Sequence, residues 1–404
     1  MRDIVIVGAS LAGLRAAQRL RTRGFTETIV LVGEEPWAPY DRPPLSKQIL
    51  TGDWSRPDLD LASAREYEDL GLELRLGVRA EGVSVARREV VLSDGSVRRY
   101  DGLVVATGAR ARRLPGVEDS PRVHVIRTWA DAERLHLALG PGVRLGVLGG
   151  GFLGSEVASA AVGRGAEVCV VERDALPMAG VLGDVVGAQL AHLQQAGGVQ
   201  LRTSATVAAV EDLNDRVAVL LADGSSLEFD HVLVSIGAVP NVEWLTDAEL
   251  EIDDGLVTTP TLFAADGVVA AGDVVRIRNA DGSPRRRVEH WTNAAAQGEA
   301  AADSLLAGVQ DATAYEAVPY VWSDQFGSRV EMLGHPTGGE VEEIWSSADR
   351  NQLLFASYAD GEVEALVGVN AVRWLLGVRR SLQGAAALDQ AAVADLLQAV
   401  RRAS

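Results

Sequence analysis

The opening of the chain switches between two hydrophobic periods. Asp3-Ile4-Val5-Ile6-Val7 is apolar and largely β-branched, the pattern of a strand covered on both faces in a parallel sheet. After Gly8 the apolar positions space out to Leu11, Leu14, Ala17 and Leu20, a helical stripe that closes near Gly24. Thr28-Ile29-Val30-Leu31-Val32 is a second strand. A strand, a helix and a strand within about thirty residues predict a right-handed parallel crossover. The same alternation returns in mid-chain, with a strand over 143–148, a glycine turn, a helix from about 152 to 164 and a strand over 167–172. Further apolar runs over 102–108, 231–237 and 267–273 end in glycine-containing loops. From residue 316 onward the pattern changes to strand-like pieces such as 352–358 separated by turns, and it closes in an Ala/Leu-rich helix over 389–402. The expected fold is α/β, with two parallel units and a C-terminal α+β domain.

Composition narrows the class. The 404 residues are 47% hydrophobic and 23% charged, which excludes a mainly disordered chain. The single cysteine, Cys169, excludes a disulfide scaffold and fits a reducing compartment. A net charge of −18 argues against nucleic acid as a partner. No apolar stretch approaches the roughly 18 residues of a membrane span. The chain passes from Met1-Arg2-Asp3 straight into its first strand pattern, so no signal peptide and a cytoplasmic location are expected.

The turns carry the candidate chemistry. Gly8-Ala9-Ser10-Leu11-Ala12-Gly13 follows a strand and opens a helix, as the dinucleotide fingerprint requires. Gly8 permits the tight turn and Gly13 the close packing of helix on strand. Ser10 replaces the middle glycine, whose absent side chain lets pyrophosphate approach. Glu34, after the second strand, is the expected acceptor for ribose hydroxyls. The second turn, Gly149-Gly150-Gly151-Phe152-Leu153-Gly154, has glycine at all three fingerprint positions, Gly149, Gly151 and Gly154. Its carboxylate is Glu172, which would repel a 2′-phosphate and so favours NADH over NADPH, although Arg173 lies beside it. Two Rossmann-like sites imply two dinucleotides, and the economical chemistry is hydride transfer from a nicotinamide to FAD.

The run Pro39-Tyr40-Asp41-Arg42-Pro43-Pro44-Leu45-Ser46-Lys47 resembles the signature of FAD-dependent NADH:ferredoxin reductases that serve oxygenases, a group related to rubredoxin reductases and apoptosis-inducing flavoproteins. Ala106-Thr107-Gly108-Ala109, Gly149 to Glu156, Ala271-Gly272-Asp273, Glu289-His290-Trp291 and Trp322-Ser323-Asp324-Gln325 extend the resemblance over essentially the whole chain. The resemblance implies a glutathione-reductase-like architecture. Its parts are a discontinuous FAD-binding domain over 1–108 and 235–315, an NAD-binding domain over 109–234 and the C-terminal domain over 316–404. It implies that Arg42 meets FAD phosphate and that Lys47 sits beside the flavin, paired with Glu156, which orients the nicotinamide carboxamide. Asp273 is implied at the ribityl chain, Ala80 on the adenine side and Arg127 on the isoalloxazine side. Trp291 and Trp322 are implied near the flavin ring. Ala106, Gly108 and Gly237 belong to the glycine loops of the two cofactor sites. Lys47, Glu156 and Trp322 are the expected catalytic residues, and no metal is expected.

The implied partner is a small ferredoxin, of the 2Fe-2S type first, with 3Fe-4S and related small ferredoxins as alternatives, and the implied state is a monomer or weak dimer. Such ferredoxins are usually acidic, so docking on a chain of charge −18 needs a local basic or apolar patch. Arg285-Arg286-Arg287 and the group Arg373, Arg379 and Arg380 are the candidates. Two other readings share the fold: an NADH:quinone or NADH:oxygen oxidoreductase, and a redox-gated binding flavoprotein. Cys169 lies in mid-strand and the 40–47 segment has no cysteine, which argues against thiol chemistry.

Overall fold

A computed structural model describes residues 1–403 apart from 247, 280, 348–350, 383, 384 and 386. The chain divides into two compact units. One comprises Met1–Asp41, Pro57–Arg110 and Ala238–Glu316; the other comprises Arg42–Arg56, Ala111–Gly237 and Ala317–Ser404.

The first unit is built on strand β1 (Asp3–Val7), helix α1 (Leu11–Thr22) and strand β2 (Thr28–Gly33). β1 lies inside a six-stranded sheet. β2 and Leu72–Leu76 follow on one side, and Gly102–Val105, Val268–Ala270 and Phe263–Ala265 on the other. Every pairing is parallel except the last hairpin. Helices and loops cover both faces, which is why Ile4, Val5, Ile6 and Val7 are all buried and all apolar. α1 packs on the helix Trp291–Ala307 at backbone distance: a Cβ on Gly298 would lie 2.4 Å from the Ala12 carbonyl oxygen. Arg19 and Arg23 both grip Asp303 at the end of this helix pair. Burial pushes the Asp303 carboxyl up, and the two guanidiniums override it and hold it down at about 2.

The second unit repeats the scheme with β3 (Arg144–Leu148), α2 (Phe152–Gly163) and β4 (Glu167–Val171). Its five-stranded sheet is wholly parallel, in the order Gln200–Arg202, β4, β3, His231–Val234, Val123–His124. Each unit also inserts a three-stranded antiparallel sheet before its returning strand.

The C-terminal part of this unit is a five-stranded antiparallel sheet. It begins with β5 (Tyr320–Gln325) and continues through Ser328–Gly334, Glu362–Val369, Gln352–Ala359 and Glu340–Ser347 in spatial order. Side chains alternate between its faces. Leu333, Leu354 and Leu366 meet Leu375 and Val378 of α3 (Val372–Arg380) and the closing helix Gln390–Ala403. Val330, Phe355 and Val367 pack on Leu182, Val186 and Leu190. The closing helix lies where the sequence pattern puts one. α3 is an addition: at nine residues it is shorter than the stretch over which a helical period can be read.

A histidine pair lies at the base of the second parallel sheet. His124 Nε2 and His231 Nδ1 are 3.1 Å apart, and His124 is buried. Burial, then the neighbouring His231, lowers His124 to about 4. The sign follows from linkage. An unfolded chain protonates this ring near pH 6.5, so stability present above that pH is lost as pH falls toward 4. Replacing His124 by Phe should therefore shrink the drop in thermal midpoint between pH 7 and pH 5 relative to the unmodified protein. Equal drops in both proteins would reject this account.

Candidate dinucleotide sites and a buried acid

In the first unit Gly8 has φ +121°, and a Cβ there would lie 2.0 Å from the Ala106 carbonyl oxygen. A Cβ on Gly13 would lie 2.0 Å from the Gly8 oxygen. Both glycines are therefore demanded by the fold. In the second unit Gly149 has φ +102°, with its Cβ position 2.3 Å from the Ser235 oxygen, and the Gly154 position is 2.1 Å from the Gly149 oxygen. The middle position behaves differently. The nearest protein atom to a Cβ on Gly151 would be Met178 Sδ at 3.8 Å, so the chain itself leaves room there. Ser10 stands at the matching place and does not cap α1 with its side chain. Among the described residues, neither N-cap side chain bonds the first-turn amides of α1 and α2. Open amides above a glycine turn fit the pyrophosphate of a dinucleotide.

The carboxylates expected at the riboses differ between the units. Gly149 N–H donates to the Val171 oxygen, as Gly8 N–H donates to the Val32 oxygen. This register aligns Glu172 with Gly33, and Glu34 follows one residue later. A Cβ on Gly33 would lie 2.5 Å from Ala9 Cβ, so no side chain fits at that position. Glu34 is 69% exposed and 3.5 Å from Arg79 Nη1. Glu172 is held firmly: Gly150 N–H donates to Oε2 at 2.7 Å and Asp174 N–H to Oε1 at 2.9 Å. Arg173 points to solvent and pairs with Asp174. Gly237, with φ +100°, accepts a hydrogen bond from the Arg112 amide through its carbonyl.

Other predicted residues of the first unit gather around its loops. Ala106 is buried, and the turn at Thr107 and Gly108 is locked by Asn241, whose Nδ2 donates to the Thr107 oxygen at 2.9 Å. Asp273 is buried. The amide of neighbouring Gly272 donates to Gln297 Oε1 at 2.8 Å, and Arg287 donates to the Asp273 carbonyl at 2.9 Å. Trp291 Nε1 donates to Asp41 at 2.6 Å, which ties the long helix to the Pro39–Asp41 stretch. Ala80 is buried at the start of its strand.

The second unit brings the remaining residues together. Pro43–Ser46 is a short 3-10 turn, and the stretch after it is clipped down because His136 and Arg164 both bond the Leu50 carbonyl. Arg42 donates to the Arg127 carbonyl, and the Arg127 amide donates to Asp131. Lys47 Nζ lies 2.8 Å from Glu156 Oε2, with side chains only 12% and 7% exposed. Ser46 Oγ donates to the same oxygen. Ser323 Oγ, on β5, donates to Oε1 at 2.8 Å. The adjacent Trp322 faces the other way, stacked on Tyr320 at 5.8 Å with Arg329 5.6 Å from its ring. Ser46 and Ser323 were not singled out from sequence, although both stand inside the runs Pro39–Lys47 and Trp322–Gln325. Cys169 is buried on β4, and burial pushes its thiol up.

The pyridine nucleotide-disulphide oxidoreductase pattern matches residues 2–298, and the reductase C-terminal pattern matches 320–404. The ferredoxin–NAD(+) reductase component of the anthranilate 1,2-dioxygenase system of Burkholderia cepacia is 36% identical, over 97% of this chain and 96% of its own length. Putidaredoxin reductase of Pseudomonas putida is 34% identical, over 83% of this chain and 81% of its own. The crystal structure of the covalent putidaredoxin reductase–putidaredoxin complex superposes with a TM-score of 0.88 at 29% identity, covering 99% of both chains. Two glycine turns, a buried Lys–Glu pair and full-length similarity agree: the chain belongs to the pyridine nucleotide-disulphide oxidoreductase family, among its NAD(+)-dependent ferredoxin reductases.

Proposed function

We propose that the protein takes reducing equivalents from NADH onto FAD and passes them singly to a small, acidic 2Fe-2S ferredoxin that feeds a monooxygenase or dioxygenase in the cytoplasm. The reading has the protein act as a monomer or weak dimer. The observation that carries it is the buried Lys47–Glu156 pair beside the second glycine turn. Bound FAD supplies the adapter chemistry, accepting two electrons as a hydride and releasing them one at a time.

The chain's own groups divide the work. Gly8, Ser10 and Gly13 would hold one pyrophosphate on the α1 amides, with Asp273 as a further FAD contact. Gly149, Gly151 and Gly154 hold the second pyrophosphate on α2. Glu172, fixed by two backbone amides, presents its remaining lone pairs to ribose hydroxyls and repels a 2′-phosphate. Lys47 contributes a buried positive charge, and Glu156 keeps that charge in place while offering an acceptor to a carboxamide N–H. Thiol chemistry has no support here, since the one cysteine is buried in mid-strand with its thiol pushed up.

Docking belongs to the outer face of α3. Arg287 is 9% exposed and paired with Asp254 and Glu289, so it is committed within its own unit. α3 instead exposes Val372 and Leu376 beside Arg373, Arg379 and Arg380, and it carries no acid. An apolar centre flanked by guanidiniums on a strongly acidic chain selects an acidic partner. Arg379 lies 4.0 Å from the Tyr320 ring, which stacks on Trp322.

Anaerobic addition of NADH should bleach the flavin, and cytochrome c reduction should then depend on added 2Fe-2S ferredoxin. Fast quinone or oxygen turnover without ferredoxin would replace this reading. Glu156→Ala should slow flavin reduction by about a hundredfold with FAD retained, the cost of losing one fixed polar contact in a closed site. Unchanged stopped-flow kinetics would remove its role. Glu172→Ala should weaken NADH by about tenfold and narrow its advantage over NADPH. An unaltered preference assigns discrimination elsewhere. Arg379→Glu with Arg380→Glu should raise the ferredoxin KM at least about tenfold and flatten its salt dependence. The rate with ferricyanide, a small acceptor that needs no docking face, should hold.

A further inference from the structure

Glu156 is held unevenly. Among the described residues, Lys47 and Ser46 both bond Oε2, and Ser323 alone bonds Oε1. Two donors on one oxygen anchor that atom and leave the carboxylate plane loosely set, because the terminal torsion of a glutamate is broad. A donor on the second oxygen fixes the plane. Ser323 is such a donor, fully buried on the face of β5 that meets α2.

A serine hydroxyl has one proton, and its direction is a choice. Gln325, two residues along the same face, resolves it. Its Nε2 donates to Ser323 Oγ at 3.2 Å, so the hydroxyl receives from the amide and spends its proton on Glu156. Gln325 is itself 3% exposed, and the amide of Phe326 donates to Ser159 of α2 at 2.7 Å, one turn along from Glu156. Around them this face of the sheet carries Val321, Val330, Phe355 and Val367.

We propose that Ser323, oriented by Gln325, is a positioning residue of the C-terminal sheet that sets the plane of the Glu156 carboxylate for the nicotinamide. The inference deepens the function proposed above and rests on Glu156 acting in that reaction. Trp322 and Ser323 are neighbours on one rigid strand, with side chains on opposite faces. The strand that carries the stacked Trp322–Tyr320 pair therefore also fixes the acid.

The test is a double-mutant cycle on the holoprotein, read in two ways. Stopped-flow absorbance gives the rate of flavin reduction by NADH, and calorimetry gives NAD(+) binding to the oxidised protein. Ser323→Ala should slow reduction by about tenfold and weaken NAD(+) severalfold, the scale of a lost hydrogen bond to a charged group. Gln325→Leu should act in the same direction with smaller size, and Ser323→Cys, which keeps a weak donor of similar shape, should recover part of both losses. In a Glu156→Ala background, Ser323→Ala should change neither quantity. Equal losses with and without Glu156 would show that Ser323 acts through packing and would overturn the proposal, as would a silent Ser323→Ala. If NADH fails to reduce the unmodified flavin, the proposed function itself is wrong. If reduction is normal but the cycle is additive, only this inference falls.

Discussion

A carboxylate taken out of water must be compensated where it sits, or the unit that buries it does not form. Glu156 is the second unit's clearest case. It stands two residues after Gly154, the third residue of its helix, and its charge is answered by Lys47, Ser46 and Ser323. Those partners come from stretches of chain more than one hundred residues away on either side. The ion pair therefore constrains the Arg42–Arg56 segment to this unit, and the Ser323 hydrogen bond ties β5 to α2. Removing either partner of such a pair is costly because the other charge is left buried and alone.

The two parallel units show how far one design tolerates variation. Their strand–turn–helix geometry agrees down to which carbonyl oxygen excludes a side chain at each outer glycine. They diverge at the end of the second strand. The second unit has Glu172 there, pinned by two amides, whereas the first has Gly33, forced by the approach of Ala9. The position beside the turn decides this: Gly150 leaves space for a carboxylate, and Ala9 fills it. A single methyl group thus moves the first unit's acidic side chain one residue along, to Glu34.

Much of the architecture can be read directly from the chain. The unbroken apolar strands and the helical respacing after Gly8 and Gly149 follow from burial on both faces and from the period of a helix. The outer glycines Gly8, Gly13, Gly149 and Gly154 are legible because no other residue fits their backbone, a local requirement that any sequence must meet locally. Glu172 is legible for a related reason, its fixed distance from the turn.

What tertiary structure alone decided is which distant groups share a space. Nothing local marks Ser323 as a donor to Glu156, since a buried serine on a strand has no period and no spacing to the acid it serves. The one-residue offset of Glu34 depends on strand register, which is a property of two chains of backbone side by side. The commitment of Arg287 to Asp254 and Glu289, against the exposed arginines of α3, depends on which groups fold next to which bases. Backbone conformation and hydrophobic period are short-range and are written residue by residue, whereas charge compensation is settled only when the chain closes on itself.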